Sequence, residues 1–306
     1  MRHAAWLLTL ALLTGVGCGG GGDGALAPAP ADEHAKAPSA PAPSPVRGRG
    51  SRGGSKKDDY VVDASVLEHA GRIEGVLRLE SKPELRRIVI DKDVEACGHE
   101  SHPSERCVFD PETLGLASCV ITLQGIAKGK DWPEAMKPKD RKGTLVMRQC
   151  MFVPHVQVLR EKTWIVVDNQ DNALHNLHAY HERMSRTGSS FGMGSAGTRH
   201  VIAEAYLAKP GKYLLKCDIH PWMNGTIHAV TNPYFAVTDT SGTFALEGVP
   251  PGSYKLKIWH EGMGEVPILV DNKISSYEYS EDWVEEIPVT LGSGQTVRVE
   301  RTIPPR

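Results

Sequence analysis

From Tyr60 onward the apolar residues fall into short alternating runs, with no long apolar stripe. Ile73 and residues 76–79, 87–90 and 120–123 follow the two-residue period of a half-buried strand, and Gly, Pro and Asp clusters separate them. No stretch keeps the 3.6-residue period of an amphipathic helix long enough to predict one. Further strands are expected at 163–167, at 212–217 after the Pro210-Gly211 turn, at 225–230 and finally at 295–302. The pattern predicts an all-β chain in three parts: an N-terminal β region at 60–140, a central domain at 141–230 and a small C-terminal β-sandwich at 231–306. The polar break from Asp131-Trp132-Pro133 to Lys142 marks the first boundary, and it leaves open that the strands before it pack with the middle part as one body.

Ahead of Tyr60 the character changes. Arg2 and His3 precede an apolar run at 4–16 that is too short to cross a bilayer, which takes about 20 residues. A charged start and an apolar middle are the marks of an export signal, here 1–18. The run closes on Gly15-Val16-Gly17-Cys18, which resembles the lipobox of bacterial lipoproteins, with Gly15 where leucine is usual. That resemblance implies a lipid on Cys18, a place in a bacterial periplasm or at the cell surface, and membrane contact through the anchor alone. An ordinary secretory signal cut elsewhere is the alternative. Residues 19–59, rich in Gly, Ala, Pro and Ser, read as a disordered linker, because they cannot bury enough apolar surface to offset ordering entropy. With 35 basic and 37 acidic residues in 306, the chain has no charge excess to grip phosphates, so no nucleic-acid partner is expected.

The chemistry lies in the central part. Between the strands expected at 212–217 and 225–230 runs Cys217-Asp218-Ile219-His220-Pro221-Trp222-Met223-Asn224. A tight loop with a thiolate, an imidazole and a thioether at C-x-x-H-x-x-M spacing can aim all three at one soft cation, and copper suits one Cys, two His and a distant axial Met. The second imidazole must come from another strand end. His175 and His178, just beyond the strand at 163–167, both qualify.

With His175-Asn176 and Cys217-x-x-His220-Pro221-x-Met223, the chain resembles the cupredoxin, or blue-copper, family over residues 143–230. The resemblance implies an eight-stranded Greek-key barrel in which His175, Cys217, His220 and Met223 bind one mononuclear copper ion. His178 is the alternative upstream ligand. Asn176 resembles the asparagine that braces the two ligand loops, where hydrogen bonding sets ligand orientation. A site whose ligands fill the coordination sphere offers no place for substrate, so outer-sphere electron transfer to a redox partner protein is implied, not an enzyme. His220, beside Pro221 and Trp222 on what reads as an exposed loop, is the expected electron exit.

Setting aside lipidated Cys18 and metal-bound Cys217 leaves Cys97, Cys107, Cys119 and Cys150, an even set suited to two disulfides in an oxidising compartment. Three pairings are possible, and Cys97 with Cys150 plus Cys107 with Cys119 is favoured here. Residues 97–107 also offer two thiols and two imidazoles that zinc would accept, though disulfides suit an exported chain better. Gly192-Met193-Gly194-Ser195-Ala196-Gly197 matches G-x-G-x-x-G but lacks the βαβ context that dinucleotide binding requires.

The C-terminal part carries D-x-x-G-x-F at 239–244 and V-P-P-G-x-Y at 249–254, and resembles the carboxypeptidase regulatory-like, transthyretin-like β-sandwich. Such modules are mostly structural or carbohydrate-associated, which implies possible glycan contact. A surface-anchored module that binds carbohydrate or wall polymer, with a structural or vestigial metal site, is the rival function. The acidic run Glu278, Glu281, Asp282, Glu285 and Glu286 could dock a basic redox partner or simply be a solvated face.

Overall fold

The computed structural model describes residues 60–84, 87–98, 101–139, 141–183 and 187–305. The export signal, Cys18 and the linker lie outside the described residues. Strands dominate what is described, and the fold is all-β.

The central part builds two sheets. One runs Arg199–Ile202, Trp164–Asn169, Lys142–Arg148, Met151–Val153; the other runs Thr187–Met193, His175–His181, Gly211–Lys216, Asn224–Val230, Val156–Arg160. Alternation decides which side chains face in. Leu145 and Met147, Ile165 and Val167, and Leu177 and Ala179 are buried while their neighbours in sequence are less so, and they share one core with Phe152, Leu215 and Ile227. The barrel is not closed: among the described residues the strands divide between two separately hydrogen-bonded sheets packed as a sandwich.

The sequence division sets 60–140 apart from 231–306, yet the structure pairs strands across it. Val120–Gln124 lies between Phe235–Val237 and Gly252–His260, with Trp283–Leu291 beyond, and Gly71–Leu79 lies between Thr243–Val249 and Thr296–Ile303. These two sheets enclose a second core containing Ile73, Leu77, Ile121, Leu246, Leu256, Ile258 and Ile303. Strands 71–79 and 252–260 are each paired on both sides, so neither range supplies a complete sheet alone. Strand periodicity marks each segment without naming its partner.

Residues 87–103 have a separate role. Arg87–Val89 and Ser101–Pro103 form a short hairpin, with the single helical turn Val94–Cys97 between them. Ile88 and Ile90 insert into the central core. Burying two isoleucines stabilises the docked segment by roughly 3–6 kcal/mol at most, and that lays it over the loop at 217–223. The arm of Glu265–Val270 and Lys273–Tyr279 also reaches the central core, through Tyr277.

Candidate metal centre

The loop 217–223 caps the hairpin of Gly211–Lys216 and Asn224–Val230, closed by the pair Lys216 and Asn224. Within it the Cys217 N–H donates to the Met223 carbonyl (3.1 Å) and the Met223 N–H to the His220 carbonyl (2.9 Å), so the turn is fixed by its own backbone. Cys217, His220, Trp222 and Met223 are all buried. His175 opens the strand His175–His181 on its inward face and is fully buried.

The structure brings His175, Cys217 and His220 together. One donor atom from each lies within 4.8 Å of the others. The two Nδ1 atoms are 3.0 Å apart, and Cys217 Sγ is 3.9 Å from His220 Nδ1. Both Nε2 atoms point outward to carboxylates: His175 to Asp171 Oδ2 at 2.9 Å and His220 to Asp93 Oδ2 at 3.0 Å. A carboxylate accepts only, so each ring carries its proton on Nε2 and turns Nδ1 towards the thiol. Met223 is buried in the same core as Cys217. His178 takes the other face of its strand and bonds Asp218 (2.9 Å) and Tyr180 (3.0 Å), away from this cluster.

The electrostatics fit a bound cation. Burial alone would lower His175, but its bonds to Asp171 and Cys217 prevail and raise it to about 9. Burial alone would raise Cys217, but hydrogen bonds from His175, His220 and the Asn176 N–H prevail and bring it down to about 6. A thiolate beside an imidazolium at neutral pH places a proton among three donors that a metal can use once that proton leaves. The donor set of two imidazoles and a thiolate, with a thioether on the same loop, fits copper.

The outer partners are built into the fold. Asn176 Nδ2 donates to Asp218 Oδ2 (2.7 Å) and its Oδ1 accepts from the Asp218 N–H (2.6 Å), while its own N–H lies 3.5 Å from Cys217 Sγ. This ties the strand of His175 to the loop of Cys217. Asp171 also accepts from the N–H groups of Gln149 (2.6 Å) and Cys150 (2.8 Å). At the far end of the loop, Asn224 Oδ1 accepts from Arg106 (3.0 Å). Arg106 pairs with Glu261 (2.7 Å), and Glu261 bonds His155 (2.5 Å). Of the acidic run, Asp282 is engaged by Lys212 and Trp259, Glu285 by Arg301 and Glu286 by Lys255.

Two expectations need correction. His220 and Trp222 are not on an exposed loop: both are buried, His220 completely, with Asp93 of the upstream segment set on His220. Cys97 and Cys150 are bonded, but Cys107 and Cys119 are not; each is a buried free thiol, pushed by burial up to about 11 and about 12. Cys119 precedes a strand inside the second core, where its sulfur faces the Leu116 carbonyl. Sequence reasoning also missed the two carboxylates. Asp171 left a faint signal, a carboxylate in the turn four residues before His175; Asp93 left none at a separation of 127 residues.

No protein-family model and no curated protein matches the chain. Solved structures similar to part of it are cupredoxins. A copper-containing nitrite reductase from Thermus scotoductus SA-01 is 25% identical with a TM-score of 0.25, covering 28% of this chain, which spans about a fifth (22%) of that one. A purple cupredoxin from Nitrosopumilus maritimus is 16% identical over 29% of this chain and 99% of its own, and amicyanin from Paracoccus versutus 17% over 36% and 97%, both with TM-scores of 0.25. At these values the likeness is partial, and the reading below rests on the geometry of the site.

Proposed function

We propose that the chain is an exported, lipid-anchored copper protein that carries electrons by outer-sphere transfer and catalyses no reaction of its own. The observation behind this reading is the convergence of His175 Nδ1, His220 Nδ1 and Cys217 Sγ in a pocket sealed from water, with both rings oriented by carboxylates. His175, Cys217 and His220, with Met223 on the same loop, would hold a copper ion, which would supply a one-electron couple. The thiolate gives the strongest electronic coupling, and the rigid loop limits reorganisation. Burial of all four side chains argues against substrate chemistry and in favour of a redox partner that docks outside. From His220 the route outward runs through its hydrogen bond to Asp93, whose side chain is 42% exposed.

The test is the visible and electron paramagnetic resonance spectrum of the purified chain after one equivalent of Cu(II). An intense thiolate-to-copper band that bleaches on reduction and returns on oxidation is expected, and it should vanish in Cys217→Ala while the far-ultraviolet circular dichroism stays β. No band in the wild type, or a band that survives in Cys217→Ala, refutes the reading.

A further inference from the structure

The Cys97–Cys150 disulfide lies against the centre just described. Both sulfurs and a ring nitrogen of His220 lie within 4.8 Å of one another, and Cys150, Asp171 and His175 form a second such group. All of these residues are buried. We propose that Cys97 and Cys150, once reduced, form with His220 a second metal site, suited to Cu(I), beside the Cys217 centre.

The two cysteines are held in place by more than their own bond. Cys97 ends the turn Val94–Cys97, which stays docked through Ile88 and Ile90 in the central core, through the hairpin of 87–89 with 101–103, and through Asp93 on His220. Cys150 is fixed by its N–H on Asp171, next to that of Gln149. Reduction therefore leaves two thiols side by side against an imidazole, and they do not drift apart. Burial opposes a bare thiolate, and a bound cation offsets that charge. Thiolates favour Cu(I), and three donors leave short the four-coordinate shell that structural zinc takes. His220 turns Nδ1 to the Cys217 centre and Nε2 to Asp93, so to serve both centres its ring gives up the Nε2 proton and Cu(I) takes the place of the Asp93 hydrogen bond.

The step balances with a dithiol as reductant. Its two thiols become a disulfide, while the Cys97–Cys150 bond breaks and receives two electrons and two protons. Cu(I) binding then forms two metal–sulfur bonds and one metal–nitrogen bond, and releases those two protons together with the Nε2 proton of His220.

Anaerobic titration with Cu(I) against a chromogenic chelator tests this on the full chain, oxidised or treated with dithiothreitol and then desalted, with thiols counted by mass after alkylation. The reduced chain should bind one equivalent more than the oxidised chain, and the Cys97→Ser/Cys150→Ser variant should show no such gain. Equal stoichiometry overturns the proposal, as does a gain that persists in the variant, or a disulfide that resists dithiothreitol. The variant's Cu(II) absorption band and β circular dichroism check that it folds. The inference rests on the copper reading only for its neighbour: failure at Cys217 removes the equivalent bound by the oxidised chain, whereas failure here removes only the increment.

Discussion

Asp171→Asn keeps the shape of the side chain and removes its charge. Asp171 is 5% exposed, and its two oxygens take three donors, from His175, Gln149 and Cys150. In the variant one oxygen becomes an NH2 group that faces a donor, so at least one charge-assisted bond is lost, worth about 1.5–3 kcal/mol. Loss of the hydrogen-bond partner of a metal-binding histidine typically costs about 10–100-fold in metal affinity, equivalent to roughly 1.4–2.8 kcal/mol. The two estimates agree, so Cu(II) affinity should fall by one to two orders of magnitude. Taking a negative charge away from the ligand also disfavours Cu(II) relative to Cu(I), so the reduction potential should rise. Competition with a chelator of known affinity measures the first effect and protein-film voltammetry the second, with a thermal melt of the metal-free variant to separate folding from binding. Affinity within twofold of wild type, or a potential that falls, would refute the role given to Asp171.

Glu261→Gln should destabilise the fold by about 3–5 kcal/mol in a denaturant titration at pH 7, because it leaves Arg106 buried without its counter-charge. Burial opposes the Glu261 carboxylate, but His155 and Arg106 hold it down to about 2, below its ordinary 4.5. Its contribution is therefore full above pH 4.5 and fades as pH falls towards 2, so the gap between variant and wild type should narrow on that side; a constant gap from pH 7 to 2.5 would contradict this. His155 is raised above 6.5, although burial alone would lower it, so its contribution is full below that pH and is lost on the alkaline side. Copper uptake should release about one proton near pH 7.5, from His175, rising towards two below pH 6 as Cys217 protonates and falling towards none above pH 9; calorimetry in buffers of different ionisation enthalpy counts them, and a pH-independent count would refute the thiolate–imidazolium pair. Gly242 has φ +70°, and a Cβ there would lie 2.1 Å from the Leu77 carbonyl oxygen. Gly242→Ala should lower the melting temperature, with strain alone worth about 1–3 kcal/mol, while the copper band is unchanged; an unaltered melt would contradict the pairing of 243–249 with 71–79.

What the sequence made legible was local. The Pro210-Gly211 turn, two alternating runs and the spacing of Cys217, His220 and Met223 define a hairpin and its loop without distant information. His175 follows the continuous apolar run at 164–167, which reads as a buried strand. Its inward side could be told from that of His178 only once Leu177 and Ala179 were seen to face the core. The illegible features depend on contacts between residues far apart in the chain. A period-two strand states which face is buried but not which strand lies beside it, so the sheets shared by 71–124 and 235–303 were hidden. The unpaired state of Cys107 and Cys119 was hidden too, because cysteine counting says nothing about where two sulfurs lie. Likewise, the cover over His220 belongs to a segment more than a hundred residues upstream.

The pairing of Val120 with Val237 and of Thr122 with Phe235 places the two ends of the central sandwich on neighbouring strands of one sheet. In the order of synthesis, strands 71–79 and 120–124 emerge first and must wait for partners beginning at residue 235. At 5–20 residues per second, that delay is roughly 5–20 s. The sandwich in between has all its strands by residue 230 and can close while the outer sandwich still awaits its partners from 235 to 303. Slowing elongation between 231 and 303 should therefore burden the outer sandwich alone, whose apolar strands stay unpaired longest and are the natural target of a holding chaperone.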